Sequence, residues 1–220
     1  MIVTIDGPAG AGKSTVARRL AARLGFRFLD TGAMYRAVAW AAVRDGLDLH
    51  DAEAVASLAQ RLTIELSGKR VLVNSIDVTE AIRTSQVTSV THYAADNPQV
   101  REHLVQLQRQ AVGEDNVVSE GRDQGTVVFP HAGCKIFLTA SPAERTRRRV
   151  ADLAARGEQR ELAAVLAEQS LRDERDSVRA VGPLVPAVDA VHISTDGLEA
   201  DEVVERIEQL VRSRLSSEQR

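Results

Sequence analysis

A glycine-rich segment near the start of the chain carries the clearest chemical signal in the sequence. Residues 7–14 read Gly-Pro-Ala-Gly-Ala-Gly-Lys-Ser and satisfy the phosphate-loop pattern G-x-x-x-x-G-K-[ST]. Glycines let consecutive backbone N–H groups converge on phosphate oxygens at a helix N-terminus, where the helix dipole also favours anions. We expect Lys13 to reach the β- and γ-phosphates and the Ser14 hydroxyl to ligate Mg²⁺. The alternative is a glycine-rich turn with one exposed lysine.

The predicted contacts to the nucleoside triphosphate follow from this motif. They come from Gly7, Pro8, Ala9, Gly10, Ala11, Gly12, Lys13, Ser14 and Thr15.

The segments around this loop alternate between strand and helix patterns. Ile2–Asp6 is a β-branched run, and apolar residues at helical spacing follow the loop as far as Leu24. Further strands are predicted at 26–29, 116–119, 134–139 and 190–193, with helices between them. This order predicts an α/β fold in which a P-loop core contains a doubly wound parallel sheet.

One stretch departs from the alternation. Residues 62–73 contain two β-rich runs around a turn at Ser67-Gly68-Lys69, which predicts an antiparallel hairpin. We therefore expect one kinase unit in which residues 62–90 form a small inserted β-containing subdomain. Residues 1–61 and 91–220 would form the core.

Composition and missing motifs exclude several classes. A net charge of −3 does not fit a nucleic-acid binder, and no apolar run approaches the roughly 18 residues that span a bilayer. A single cysteine, Cys134, is typical of a reducing compartment, so a cytoplasmic location is expected. Neither Asp-x-x-Gly nor Asn-Lys-x-Asp of GTPases occurs, and the length excludes a large motor ATPase. A small P-loop kinase remains, with a monomer as the default state.

Arginine is the second signal, since the 28 basic residues comprise 25 Arg and three Lys. Arginine forks onto phosphate and carboxylate oxygens, although compositional drift would give the same count. Ligands of such sheets bind beyond the carboxyl ends of the strands. Arg-bearing turns are expected there at residues 30–36 and 120–123. Arg172, Arg175, Asp176 and Arg179 share one helix face, which is either functional or a solvated face with ion pairs.

Several segments that follow the loop in the sequence resemble the corresponding segments of bacterial cytidylate kinases. They are Asp30-Thr-Gly-Ala-Met-Tyr-Arg36, residues 120–130 (EGRDQGTVVFP), residues 135–141 (KIFLTAS), Val78–Arg83, and Arg175-Asp176 with Arg179-Ala-Val and Pro183-Leu. The similarity covers essentially the whole chain. It implies a helical lid at about residues 150–162 and transfer of the γ-phosphate of ATP to CMP or dCMP.

The resemblance also implies roles for individual residues of the acceptor site. Arg36 and Arg122 would hold the acceptor phosphate, with Tyr35 shaping that pocket. Arg101 and Asp123 would read the cytosine edge. The ribose would be contacted by Arg172 and Asp176, with Arg179 nearby. Thr31 and His92 belong to the same pocket, although the family often has Ser in place of both. Ser75-Ile76 stands where the family usually has a turn containing Gly.

No general base is expected, because the acceptor phosphate is already ionised at neutral pH. Catalysis would be alignment and charge neutralisation by Lys13, Mg²⁺, Arg122 and lid arginines, of which Arg148 and Arg156 are candidates. The alternative for the lid, whose cations run from Arg145 to Arg160, is a solvated basic helix. Glu120 and Asp30 could hold Mg²⁺ through water.

The sequence leaves two competing functions open. Another small P-loop kinase would need an acceptor pocket different from Arg101 and Asp123. A nucleotide-sensing protein would bind ATP but form no ADP with any acceptor.

Overall fold

The computed structural model describes residues 1–68, 70–155 and 157–218. Two compact units make up the chain. One contains residues 1–28 together with the chain from Asp115 onward, and the other contains Leu29–Glu114. The predicted insert, residues 62–90, lies within the second unit.

The strands of the described chain are β1 (Ile2–Asp6), β2 (Arg27–Asp30), β3 (Ile64–Ser67), β4 (Arg70–Val73), β5 (Ile76–Asp77), β6 (Val117–Gly121), β7 (Cys134–Thr139) and β8 (Val191–Ser194). Its α-helices are α1 (Lys13–Leu24), α2 (Thr31–Arg44), α3 (Ala52–Arg61), α4 (Ser85–Ala95), α5 (Pro98–Val112), α6 (Pro142–Ala154), α7 (Leu162–Val178) and α8 (Ala200–Glu218). A 3-10 turn covers Ala81–Arg83, and a π-helix covers Gln124–Val128.

A five-stranded sheet with the order β2-β6-β1-β7-β8 confirms the predicted α/β fold. The β1–β6, β1–β7 and β7–β8 pairs are parallel. Asp6, the last residue of β1, is in register with Gly121 of β6 and Phe137 of β7. The glycine-rich loop therefore leaves the sheet directly beside the turn that begins at Gly121.

Helices α1 and α8 pack with this sheet to form the core of the first unit. Fully buried apolar side chains come from the strands and from both helices, among them Ile5, Leu20, Ile136 and Ile207. Gly25 ends α1 in the left-handed conformation that an L side chain rarely adopts. This packing fixes the N-terminus of α1 against the edge of the sheet.

The helices of the second unit begin at side-chain caps. The Asp30 carboxylate accepts the Ala33 N–H at 3.0 Å and starts α2 directly at Thr31. Asn97 caps α5, and Pro98 follows in the first turn, as its sequence predicts. These helices enclose a separate core that includes Val38, Ala59, Ile82 and Leu104.

The predicted hairpin is confirmed, since β3 and β4 pair antiparallel with Ser67 opposite Arg70. A third strand, β5, extends the hairpin into a small sheet. Asn74 and Ser75 connect β4 to β5 and both have positive φ, 48° and 65°. A two-residue turn with positive φ at both positions matches the twist of antiparallel strands, which explains a tight turn without glycine.

None of the helices described in the structure is long and apolar enough to cross a membrane.

Candidate active site

The phosphate loop ends at a helix N-terminus that no side chain caps among the described residues. Gly12 precedes α1 with φ 87°, and no side-chain hydrogen bond closes the helix start. The first N–H groups of α1 are thus available to an anion. Gly7 has φ 147°, and a Cβ atom there would lie 1.9 Å from the Leu138 carbonyl oxygen. Only glycine fits at this position, so the close approach of the loop to β7 fixes its path.

Lys13 is buried at the centre of this loop. Its Nζ donates to the Pro8 carbonyl at 2.7 Å. Burial and, to a smaller extent, the Arg122 charge lower the pKa of Lys13 to about 7, while the Glu120 charge acts in the opposite direction. Arg172 and Asp176 contribute smaller, opposing effects on the same pKa. The lysine therefore lies within the electrostatic field of the residues predicted to hold the acceptor.

The end of β6 and the turn that follows it carry three charged side chains beside the loop. Glu120 and Asp123 are buried at 5% and 3% exposure. The Arg122 Nε donates to Asp176 Oδ2 at 2.7 Å, and its Nη1 donates to the Gly121 carbonyl at 3.2 Å. A cation and two carboxylates are thus held close to Lys13 within one unit.

Asp6 holds this turn in place. Its two carboxylate oxygens accept the N–H groups of Gln124 at 2.9 Å and Gly125 at 2.7 Å, at the start of the π-helix. The pKa of Asp6 is raised to about 6, because burial outweighs the lowering effect of these two hydrogen bonds. The nearby Asp123 charge adds to the rise and Lys13 opposes it. The last residue of β1 therefore positions the loop that carries Arg122 and Asp123.

Helix α7 supplies the partner of Arg122. Burial raises the pKa of Asp176, but the charges of Arg122 and Arg172 outweigh burial and hold it below its usual value. Arg179 lies 3.9 Å from the same carboxylate and donates to the Gly182 carbonyl. The charges of Arg172, Asp176 and Arg179 therefore interact within the site, whereas Arg175 of the predicted face is exposed and Arg179 follows the last residue of α7.

Helix α6 divides the predicted basic cluster into different environments. Arg147 is exposed and pairs with Glu144. Arg148 donates to Glu144 at 2.8 Å and to the hydroxyl and carbonyl of Thr195 at 2.8 and 2.9 Å. Its guanidinium lies 3.7 Å from the position of a Cβ at Gly12, beside the start of α1. Arg145 is buried, and its Nη1 donates to the Ala9 carbonyl of the loop.

The second unit contains the other predicted acceptor residues. The Arg101 guanidinium lies 5.4 Å from the centre of the Tyr35 ring, and its Nη1 donates to the Ala95 carbonyl at 3.1 Å. Arg36 donates to the Ile82 carbonyl at 3.2 Å and to Thr88 Oγ1 at 2.7 Å. A buried cation stacked on an aromatic ring, with a second arginine one residue along α2 from that ring, can form one wall of an anionic aromatic ligand's site.

Thr31, His92 and Asp30 complete this group. Thr31 is buried in the first turn of α2. His92 lies on α4, where its ring packs 4.1 Å from that of Tyr93 and Nδ1 is 2.9 Å from the Ser89 carbonyl. Asp30 caps α2 and pairs with Arg83 at 3.4 Å. Its carboxylate is thus engaged within the second unit.

The structure brings the predicted residues together in two groups, one in each unit. The first unit contains Lys13, Arg122, Asp123, Arg148, Arg172, Asp176 and Arg179. The second contains Thr31, Tyr35, Arg36, His92 and Arg101. Arg156, the other predicted lid arginine, lies outside the described residues.

Sequence reasoning missed two side chains that support the first group, Asp6 and Asp173. It assigned a third, Arg145, to the lid, whereas this side chain is buried and bound to the phosphate loop. Asp6 is a carboxylate at the end of a buried strand, immediately before the glycine loop, and that position is itself a signal. Arg145 and Asp173 lie within charged helices, where periodicity does not distinguish a buried ion pair from exposed ones.

A parallel sheet, a glycine loop opening a helix and a buried lysine define a P-loop phosphotransferase. A solved shikimate kinase from Bacteroides thetaiotaomicron has a similar fold, with a TM-score of 0.51 and 15% identity over 96% of this chain and 98% of that one.

A family model described as cytidylate kinase matches residues 3–213. The chain is 50% identical over 212 residues to a cytidylate kinase of Rhodopirellula baltica, covering 96% of this chain and 93% of that protein. It is 49% identical over 208 residues to one from Desulfitobacterium hafniense, covering 93% and 90%. The chain belongs to the cytidylate kinase family, whose reaction is the phosphorylation of cytidine monophosphate.

Proposed function

We propose that this enzyme transfers the γ-phosphoryl group of ATP to CMP or dCMP. One observation carries the proposal. The first unit places the turn with Arg122 and Asp123 beside Lys13, so that a donor phosphate and an acceptor phosphate would meet at one edge of the sheet. Such proximity is the main contribution a protein can make to phosphoryl transfer.

Charge neutralisation falls to four cationic side chains in this proposal. Lys13 and the N–H groups of residues 7–15 bind the donor phosphates. Burial lowers the pKa of Arg122, but the charge and hydrogen bond of Asp176 raise it by more, so Arg122 remains a cation facing the acceptor phosphate. Arg148, and Arg156 from the lid at about residues 150–162, add positive charge around the transferred group.

Both acidic and basic side chains would recognise the base and the ribose. Asp123 accepts from the exocyclic amine of cytosine, which uracil lacks, and Arg101 donates to the same edge. Arg172, Asp176 and Arg179 contact the ribose. In the second unit, Tyr35, Arg36, Thr31 and His92 are further proposed contacts of the acceptor nucleotide, and residues 62–90 are the proposed acceptor-side insert.

The donor set of the loop fits Mg²⁺. Ser14 is exposed in the first turn of α1, so its hydroxyl oxygen is accessible beside the phosphate-binding N–H groups. Mg²⁺ in kinases retains waters and takes few protein oxygens besides the phosphates, so this sparse set is sufficient. Ser14 would hold the ion directly and Glu120 through water, and Asp30 is a second candidate for water-mediated contact. The ion would offset negative charge on the donor phosphates. We further propose a cytoplasmic monomer.

Asp123 provides the sharpest test of this assignment. We expect Asp123→Ala to weaken CMP binding at least tenfold and to change the ATP dissociation constant less than threefold, as measured by calorimetry. Discrimination between CMP and UMP should also decrease, because the carboxylate is proposed to accept from the amine. A matched control is Asp115→Ala, which removes an exposed carboxylate paired with Arg27 in the same unit. Equal losses of ATP and CMP binding in a folded Asp123 variant would contradict the proposal.

A further inference from the structure

Arg145 connects the phosphate loop to two helices and a strand end. Its side chain is 7% exposed, and its Nη1 donates to the Ala9 carbonyl at 3.0 Å and to Asp173 Oδ2 at 2.6 Å. Its Nε donates to the Ala140 carbonyl, just beyond β7, at 3.1 Å. One guanidinium therefore holds the loop that would bind the donor phosphates and the helix that carries Arg172 and Asp176.

The packing around this guanidinium leaves little freedom. Gln169 Nε2 donates to the Arg145 carbonyl at 3.3 Å, and Thr146 Oγ1 donates to Gln169 Oε1 at 2.9 Å. A Cβ atom at Gly10 would lie 3.0 Å from Arg145 Cβ and 3.1 Å from Gln169 Nε2. The loop thus rests directly on the contact between α6 and α7, so movement of α7 displaces its support.

Two carboxylates of α7, three residues apart, hold the two sides of the site. Asp173 accepts a hydrogen bond from Arg145, which also binds the phosphate loop, and Asp176 accepts one from Arg122 in the turn after β6. The other oxygen of Asp173 is buried without a hydrogen bond from any residue in the described ranges. Asp173 therefore depends on Arg145 as its hydrogen-bond donor. Because Asp173 and Asp176 lie on the same face of α7, a displacement of one carboxylate is transmitted to the other.

We propose that Arg145 and Asp173 are positioning residues that couple ATP binding to CMP binding through α7. Phosphates on the loop fix the Ala9 carbonyl, which fixes Arg145 and Asp173 and so orients Asp176, Arg172 and Arg122 for the acceptor. The inference rests on the proposed function, because it takes those three residues as acceptor contacts. Coupling between two sites is reciprocal, so CMP must tighten ATP binding by the same factor.

The test measures four dissociation constants by calorimetry: those of a non-hydrolysable ATP analogue and of CMP, each alone and each with the other ligand saturating. We expect a coupling factor of at least about 5 in the wild type, the lower end of typical allosteric couplings. Asp173→Asn preserves the side-chain volume but removes the charge, and should reduce the factor to below about 2 with each separate affinity changed less than threefold. Asp173→Glu should recover at least half of the wild-type factor.

Controls and contrary outcomes separate positioning from simple loss of structure. Glu174→Gln makes the same charge change at the adjacent, exposed position of α7 and should retain full coupling. If Asp173→Asn fails to fold, Arg145→Lys serves, because an ammonium cannot hold the same three acceptors with the guanidinium geometry. Full coupling in a folded variant, no coupling in the wild type, or equal loss of both separate affinities overturns the inference. If substitution of Arg122 and Asp123 left CMP binding unchanged, the proposed function would be overturned instead.

Discussion

ATP binding should be accompanied by proton uptake at Lys13. Burial and the neighbouring Arg122 lower the pKa of this lysine to about 7, so at pH 8 about one tenth of the free protein carries the charged form. Triphosphate oxygens next to Nζ favour the charged form and raise the pKa again. At pH 8 the terminal phosphate of ATP is ionised whether free or bound, since its pKa lies near 6. Binding should therefore take up about 0.9 proton per ATP.

Calorimetry measures this uptake directly. The heat of binding a non-hydrolysable ATP analogue with Mg²⁺ is recorded at pH 8 in two buffers of different ionisation enthalpy, and the difference gives the number of protons. Lys13→Arg is the matched control, because its guanidinium stays charged in both states and its uptake should be near zero. Asp6, with a pKa of about 6, is ionised at pH 8 and does not contribute. Wild-type uptake below about 0.3 proton would refute the account of a neutral, buried lysine.

Two further predictions concern the residues that shape the site. Gly7→Ala should lower the free energy of unfolding by more than about 3 kcal/mol in denaturant titrations, because its Cβ would lie 1.9 Å from a backbone oxygen. Gly32→Ala is the control. Its Cβ would lie 3.6 Å from the nearest atom, so the free energy of unfolding should change by less than about 1 kcal/mol. The native pKa of Asp6 is raised from 3.8 to about 6, so its contribution to stability is present below pH 3.8 and is lost as pH rises through 6, a change of about 3 kcal/mol. Asp6→Asn should remove this contribution, so the free energy of unfolding of the variant should differ less between pH 4 and pH 7 than that of the wild type. An unchanged difference would contradict the raised pKa of Asp6.

The sequence predicted the parts of the fold that rest on short-range patterns. The strand, glycine loop and helix at residues 2–24 were predictable because glycine spacing and apolar periodicity are local properties. The cap at Asn97-Pro98 and the hairpin around Gly68 were predictable for the same reason. By contrast, β5 consists of two exposed residues, Ile76 and Asp77, and becomes a strand only because β4 offers a free edge.

The supporting contacts of the site could not be read from spacing. Arg145 and Arg147 lie two residues apart in one basic helix, yet the first is 7% exposed and the second 69% exposed at the side chain. The difference arises because Arg145 faces the Ala9 carbonyl, 136 residues away in the chain. Likewise, Asp6 acts on the N–H groups of Gln124 and Gly125, a pairing set by the register of β1 and β6. Long-range pairing of this kind depends on the folded topology, and a single sequence does not contain it explicitly.

The reaction of this site is phosphate transfer to a cytidine monophosphate. Initial rates of ADP formation with Mg²⁺-ATP should be measured for CMP, dCMP, UMP, AMP and shikimate at matched concentrations, to give kcat/KM for each acceptor. We predict that CMP or dCMP exceeds every other acceptor by at least about tenfold, since the cytosine amine can donate to the buried Asp123 carboxylate and the uracil carbonyl at that position cannot. A higher kcat/KM for UMP, AMP or shikimate, or ATP binding with no ADP formed from any acceptor, would contradict the account.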